Sequence, residues 1–238
     1  MIMNEKIMKR AKALLAMSQD ASSENEAMIA AKRLHSLLAK YNISLTQLED
    51  KPEQPDEEFF NSVNWPWRRT VLKCVSELYF CKCYYSQTRK NYADYYVIGT
   101  EVNRMFALGI IKNIFNIIEV KAKQESVDHY GKANSTFISS FRNGAASRIN
   151  ARCNELIGAS KSGKLQDEDG TNLPALLSVY EQNDLMNKDF MEDLGLITKK
   201  TKTRAHDRSG YTAGQKAGDK VQLSRELQNK QSPKLLGN

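Results

Sequence analysis

The sequence predicts a mostly helical α+β fold: an N-terminal helical hairpin, an α-β-β-α-α module with one β-hairpin, and a basic C-terminal segment. Three observations carry this. Apolar residues recur with helical period in several separate stretches. One block, Phe80 to Ile98, is instead rich in aromatic and β-branched residues around a polar turn. The excess positive charge sits entirely in residues 199–238.

In the first unit, residues 1–50, Ile7, Ala11, Leu14 and Leu15 fall on one helical stripe. Ser23-Glu24-Asn25-Glu26 then fits a capping box, in which the Ser23 hydroxyl accepts from the Glu26 N–H while the Glu26 carboxylate returns to the Ser23 N–H. The second helix carries Ala30, Leu34, Leu37, Leu38 and Tyr41, and Asn42 suits a left-handed stop. Residues 51–62, acidic and interrupted by Pro52 and Pro55, read as a linker.

The module 63–160 opens with the stripe Trp67, Val71, Cys74, Val75 and Leu78, with Pro66 tolerated because it falls in the first turn. Phe80 to Ser86 and Tyr92 to Ile98 then make a hairpin. From about Thr100 to Lys123 a helix is apolar almost all round, which predicts the most buried element of the module. A further helix is marked by Phe137 or Ile138, Phe141, Ala145, Ile149, Cys153 and Leu156, with Arg142, Arg148 and Arg152 toward its other sides. Residues 161–198 lose periodicity and are acidic, with Asp184, Asp189 and Glu192 among their carboxylates; they read as an irregular segment able to occupy the basic one. No internal repeat suggests a solenoid.

A chain of 238 residues has room for one or two compact domains without disulfide staples. No apolar run approaches the roughly 18–20 residues of a membrane span, and MIMNEKIMKR is not a secretory leader. The expectation is a cytoplasmic protein with no membrane partner. Residues 199–238 contain ten Lys or Arg against three acids, leaving the rest of the chain formally neutral. The segment reads as a tail whose deletion leaves the fold intact.

Two stretches resemble a known family. Lys6-Ile7 through Leu14-Leu15-Ala16, Glu26-Ala27 through Ala31, and Leu37 through Ser44 resemble the domain of unknown function 2786, found in bacterial and phage proteins. Ile98-Gly99-Thr100-Glu101-Val102, Phe141-Arg142-Asn143-Gly144-Ala145 and Arg148 to Arg152 look like the uncharacterised α+β domain that commonly follows it, and the likeness reaches Gly214 to Leu223. It implies a phage or bacterial accessory protein and brings no catalytic set.

Candidate chemistry is sparse. Cys81 and Cys83 share a strand face, but a metal needs two more ligands, and Cys74 and Cys153 lie on apolar helix stripes; buried reduced thiols are the simpler reading. His206-Asp207 resembles the dipeptide of metal phosphohydrolases, yet only His35 and His129 remain as further histidines. No Gly-rich phosphate loop or Ser nucleophile motif is present. No cofactor and no metal are expected. Tyr84, Tyr85, Tyr92, Tyr95 and Tyr96 offer either a half-buried hairpin or a platform for stacking unpaired bases, and Trp65 and Trp67 read as core or rim anchors.

The sharpest feature is Gly210, Gly214 and Gly218, spaced i, i+4, i+8, which on a helix make a bare groove open to a phosphate backbone or a second helix, with Lys216 and Lys220 on an adjacent edge. The expected function is therefore nonenzymatic contact with DNA or RNA backbone. The contacts expected are Lys199, Lys200, Lys202, Arg204, Arg208, Lys216, Lys220 and Arg225, with Arg142, Arg148 and Arg152 in support. The alternative is a protein-interaction module such as an inhibitor of a host factor or defence system, and the third reading is a metal-dependent nuclease.

Overall fold

The computed structural model describes residues 10, 13, 14, 54–164, 175–196, 207–221 and 223. Nearly all of the hairpin expected at 1–50, with its Ser23–Glu26 capping box, lies outside them. The fold is α+β and mostly α. Its elements are β1 (Asp56–Val63), α1 (Pro66–Leu78), β2 (Lys82–Arg89), β3 (Tyr92–Gly99), α2 (Glu101–Tyr130), α3 (Ser135–Lys161), α4 (Leu177–Asp193) and α5 (Arg208–Lys220).

The three strands form one antiparallel sheet in the order β1-β3-β2. The period of two sorts their side chains cleanly. Phe60, Tyr95 and Tyr85 lie in register across the sheet on the helix-facing side, where Phe60 and Tyr95 stack at 5.6 Å and Phe115 of α2 meets Tyr95 edge-on at 6.2 Å. β1 corrects the expectation of a linker at 51–62. Its acids Asp56, Glu57 and Glu58 read as linker chemistry, but an edge strand tolerates charge, and Phe60 supplies the inward ring that commits it.

α1 begins at Pro66 as expected, and Trp67, Val71, Cys74 and Val75 are all buried. α2 runs to a left-handed Gly131 (φ 68°). Its burial is uneven. Phe106, Ile111, Ile114, Ile118 and Ala122 are enclosed, whereas Val120 is 59% exposed and the residues after Lys123 are mostly open to solvent. The apolar composition of this helix foretold a covering on every side; the sheet, α1 and α3 cover only its first two-thirds.

α3 starts on Asn134, whose side chain accepts from Thr136 N at 3.0 Å and Phe137 N at 3.1 Å. Of the expected stripe, Phe137, Phe141, Ala145, Ile149 and Cys153 are buried, and Leu156 is half-buried against the core. α3 packs against α1, α2, α4 and α5, which makes it the hub of the helical layer. Two segments depart from expectation. The acidic stretch read as irregular contains α4, which closes a small cluster of Phe80, Leu176 and Tyr180. The basic segment is no detachable tail: α5 lies along α3, Val221 and Leu223 enter the main core, and Tyr79 Oη donates to Leu223 O at 2.7 Å. No helix among the described residues is long and apolar enough to cross a membrane.

Candidate nucleic-acid interface

α5 is organised by its glycines. Asp207 caps it, accepting from Gly210 N and Ser209 Oγ at 2.8 Å each, and these bonds hold its carboxyl below the usual carboxylate range. Gly210, Gly214 and Gly218 are buried against α3. A Cβ built on Gly210 would stand 2.7 Å from Phe137 O, and one on Gly218 2.8 Å from Ala145 O. One on Gly214 would overlap Phe141 O, and one on Gly144, facing back from α3, would overlap Tyr211 O. Both surfaces are bare where the helices cross, so backbone rests on backbone. Of the two occupants the sequence offered for this groove, the second helix is the one present.

The opposite side of α5 is consequently fixed. Residues four apart lie near one another on a helix, and Arg208, Thr212, Lys216 and Lys220 follow that spacing, each exposed. Three cations thus share one outward stripe. Lys199, Lys200, Lys202, Arg204 and Arg225 lie outside the described residues, as does His206.

Two of the supporting arginines turn inward to α5 instead of outward to solvent. Arg148 Nε donates to Asp219 at 2.6 Å and its Nη1 to Glu155 at 3.2 Å. Arg152 Nη1 donates to Gly218 O at 2.7 Å and Val221 O at 2.6 Å, adding donors to carbonyls at the end of α5, where intrahelical donors run out. The third, Arg142, lies 4.3 Å over the Trp65 ring and bonds Glu119, which also accepts from Arg68 Nη2 at 3.1 Å. Sequence reasoning missed Arg68, Arg69 and Glu119. The signal was there: Glu119 is a single acid inside Ile117-Ile118-Glu119-Val120, and an acid in an apolar run implies a buried cation nearby.

The tyrosines divide between the two faces of the sheet. Tyr85 and Tyr95 point to the helices, and burial pushes the Tyr95 hydroxyl up to about 12. On the open face, Phe59, Tyr96 and Tyr84 form a row across all three strands, with centroids 5.2 Å and 4.4 Å apart. Phe59 is 57% exposed. Acids flank this row: Glu57 accepts from Tyr84 Oη at 2.7 Å, and Asp94 from Asn61 Nδ2 at 2.7 Å.

The thiols are core groups. Cys74 meets Cys153 between α1 and α3, and the hydrogen bond between them together with burial raises Cys74 well above the ordinary thiol range. Burial is the largest cause raising Cys81, and it pushes Cys83 up to about 12. Among the described residues, no three His, Cys, Asp or Glu side chains are grouped to hold a metal. A cavity of about 390 Å³ lies beside α4, lined by residues that include Glu77, Phe80, Lys161, Tyr180 and Glu181. Its charges are mixed. Asp184 at its rim is desolvated, which raises its carboxyl, yet the ammonium groups of Lys188 and Lys82 outweigh that and hold it low.

Residues 6–45 match the family DUF2786, described as a protein of unknown function. The DUF2786 match precedes β1, so it bears on the expected helical hairpin and leaves the sheet, α3 and α5 to be understood from their own geometry. No curated protein and no solved structure matches the chain.

Proposed function

We propose that the protein binds the backbone of DNA or RNA through the outward stripe of α5 and the neighbouring cations of residues 199–230, as a nonenzymatic accessory protein. One observation carries this reading: the glycine contact with α3 locks α5 so that Arg208, Lys216 and Lys220 are held out on one side, within residues 199–238, whose formal charge is +7. Phosphate neutralisation needs closely spaced, solvent-facing cations, and no base-reading geometry. Arg148 and Arg152 support the site by anchoring α5, not by touching nucleic acid.

The test is salt-dependent binding. Log K should fall with log salt at a slope of about −0.9 per phosphate neutralised on duplex DNA. Lys216→Gln with Lys220→Gln should flatten that slope by roughly 1.8 while leaving the melting temperature unchanged, because both side chains are exposed. Deletion is the wrong instrument, since it removes Val221 and Leu223 from the core. Absence of retention on DNA and RNA at about 50 mM salt, where backbone binding is strong, overturns the reading. A protein partner is the second reading, and the aromatic row Phe59–Tyr96–Tyr84, exposed at Phe59 and half-buried at the two tyrosines, favours it with its flanking acids.

A further inference from the structure

The first turn of α1 gathers more positive charge than its surroundings neutralise. Arg68 is enclosed by aromatic rings, its guanidinium carbon 5.2 Å from the centroids of Trp65 and Trp67 and 4.9 Å from that of Phe115. Arg142 approaches from α3, its guanidinium carbon 4.3 Å from the Trp65 ring centroid. Arg69 lies 5.0 Å over Tyr85. Against these three guanidinium groups stands, among the described residues, one carboxylate, Glu119, which takes Arg68 on one oxygen and Arg142 on the other. The side chains of Arg68 and Arg142 are 13% exposed and that of Glu119 is 18% exposed. Among the described residues, the partners of Arg69 are neutral: Asn64 Oδ1 at 3.4 Å and Tyr85 Oη at 3.1 Å.

Two independent facts say that this charge is incompletely answered. Partly buried charge is costly unless it is paired, and here a positive excess remains. Buried donors are ordinarily satisfied, yet Trp67 Nε1, Arg68 Nε, Arg69 Nε and Arg142 Nε are all buried without a hydrogen-bond partner among the described residues. The helix end adds to the imbalance. α1 begins with no side-chain cap and no acid in its first turn, so its positive dipole end is also unanswered.

We infer that the Arg68–Arg69–Arg142 cluster at the start of α1 is a binding site for a phosphate group. Guanidinium forks match phosphate oxygens in pairs, and a dianion answers the excess that Glu119 leaves. Trp65 holds the Arg142 fork and Tyr85 the Arg69 fork by their ring faces, while Arg68 also donates to Ser62 Oγ. None of these residues belongs to α5, so the inference goes beyond the interface proposed above and can survive without it.

The experiment is thermal melting of the full chain in inorganic phosphate against chloride at equal ionic strength. About 10 mM phosphate should raise the melting temperature by roughly 2–5 °C for millimolar binding. Glu119→Gln removes the carboxylate that opposes Arg68 and Arg142; its baseline should fall and its phosphate response should exceed that of the wild type. Arg69→Gln, which leaves the Arg68–Glu119–Arg142 pairing in place, should lose most of the increment. A wild type and an E119Q variant that respond to phosphate no more than to chloride overturn the inference, and the cluster is then a structural tie between helices. The source is separated by a second arm, in which 5′-phosphorylated and 5′-hydroxyl oligonucleotides compete with inorganic phosphate. Preference for the phosphorylated strand assigns the site to nucleic-acid ends, and equal weak binding of both with retained phosphate stabilisation assigns it to free phosphate. Phosphate stabilisation without any DNA or RNA retention keeps this site and removes the α5 reading.

Discussion

α4 and α5 are the two helices added late in the chain, and they are fastened by opposite means. α5 is held by what it lacks: three glycines and Gly144 bring its backbone onto that of α3. α4 is held by large groups. Tyr180 packs on Phe80 at 4.4 Å and donates to Leu78 O at 3.2 Å, and buried Asn187 donates to Phe80 O at 2.8 Å. The first fastening has almost no apolar side-chain signature; the second depends on a few anchors that sequence can show but not connect. A contact without side chains is intolerant of any addition, whereas an anchored contact fails by subtraction.

The largest expected effect follows from that asymmetry. Gly214→Ala places a methyl on a backbone carbonyl, which cannot rotate aside, so the helices must separate. The loss should be about 3 kcal/mol or more, the upper range of overpacking. Gly158→Ala, also within a helix but with nothing within 4 Å of the added carbon, should instead stabilise by about 0.5–1 kcal/mol. Urea titration of both variants checks the pair. Equal, small changes would show that α5 is not seated on α3.

Legibility follows the same division. The stripes of α1 and α3 could be read residue by residue because buried apolar side chains at helical spacing leave a periodic trace. The hairpin was legible for the analogous reason, although β2 runs on to Arg89 and only Lys90 and Asn91 make the turn. β1 was hidden because an acidic edge strand needs only one inward ring, Phe60. α4 was hidden because its burial is limited to Tyr180 and Asn187. For α5 the glycine spacing was legible and its occupant was not, since bare backbone fits a phosphate chain and a helix equally well. Of the charged groups, the exposed lysines of α5 were found by counting. The Arg68–Glu119–Arg142 pairing needs three helices to converge and is invisible to local patterns.

A middle-sized effect tests the subtraction side. Asn187→Leu keeps the branched shape of the side chain and removes the donor to Phe80 O. The cost should be about 1 kcal/mol, the net worth of one hydrogen bond. Amide exchange should rise across 177–193 and stay unchanged across 208–220. Uniform exchange across both helices would break the comparison, because it would mean that the two fastenings open as one unit.

The smallest effect isolates the backbone beneath the α4 anchor. Phe80 has φ 58°, in the left-handed region, where an L side chain is disfavoured. Asn187 bonds the carbonyl of this residue, and Phe80 N donates to Glu77 O at 3.3 Å, so the surrounding groups hold the turn in place. Phe80→Ala and Phe80→Gly both remove the ring and its contact with Tyr180, and they share that loss. They differ only in what the left-handed backbone costs. Glycine meets no Cβ penalty there, so F80G should be more stable than F80A by about 1 kcal/mol, although glycine carries the greater unfolded-state entropy. The difference between two chevron-derived stabilities reads this directly, with the ring's contribution cancelled. If F80A equals or exceeds F80G, the turn relaxes once the ring is gone, and the left-handed geometry is then a product of the Phe80–Tyr180 contact, not a fixed feature on which α4 is mounted.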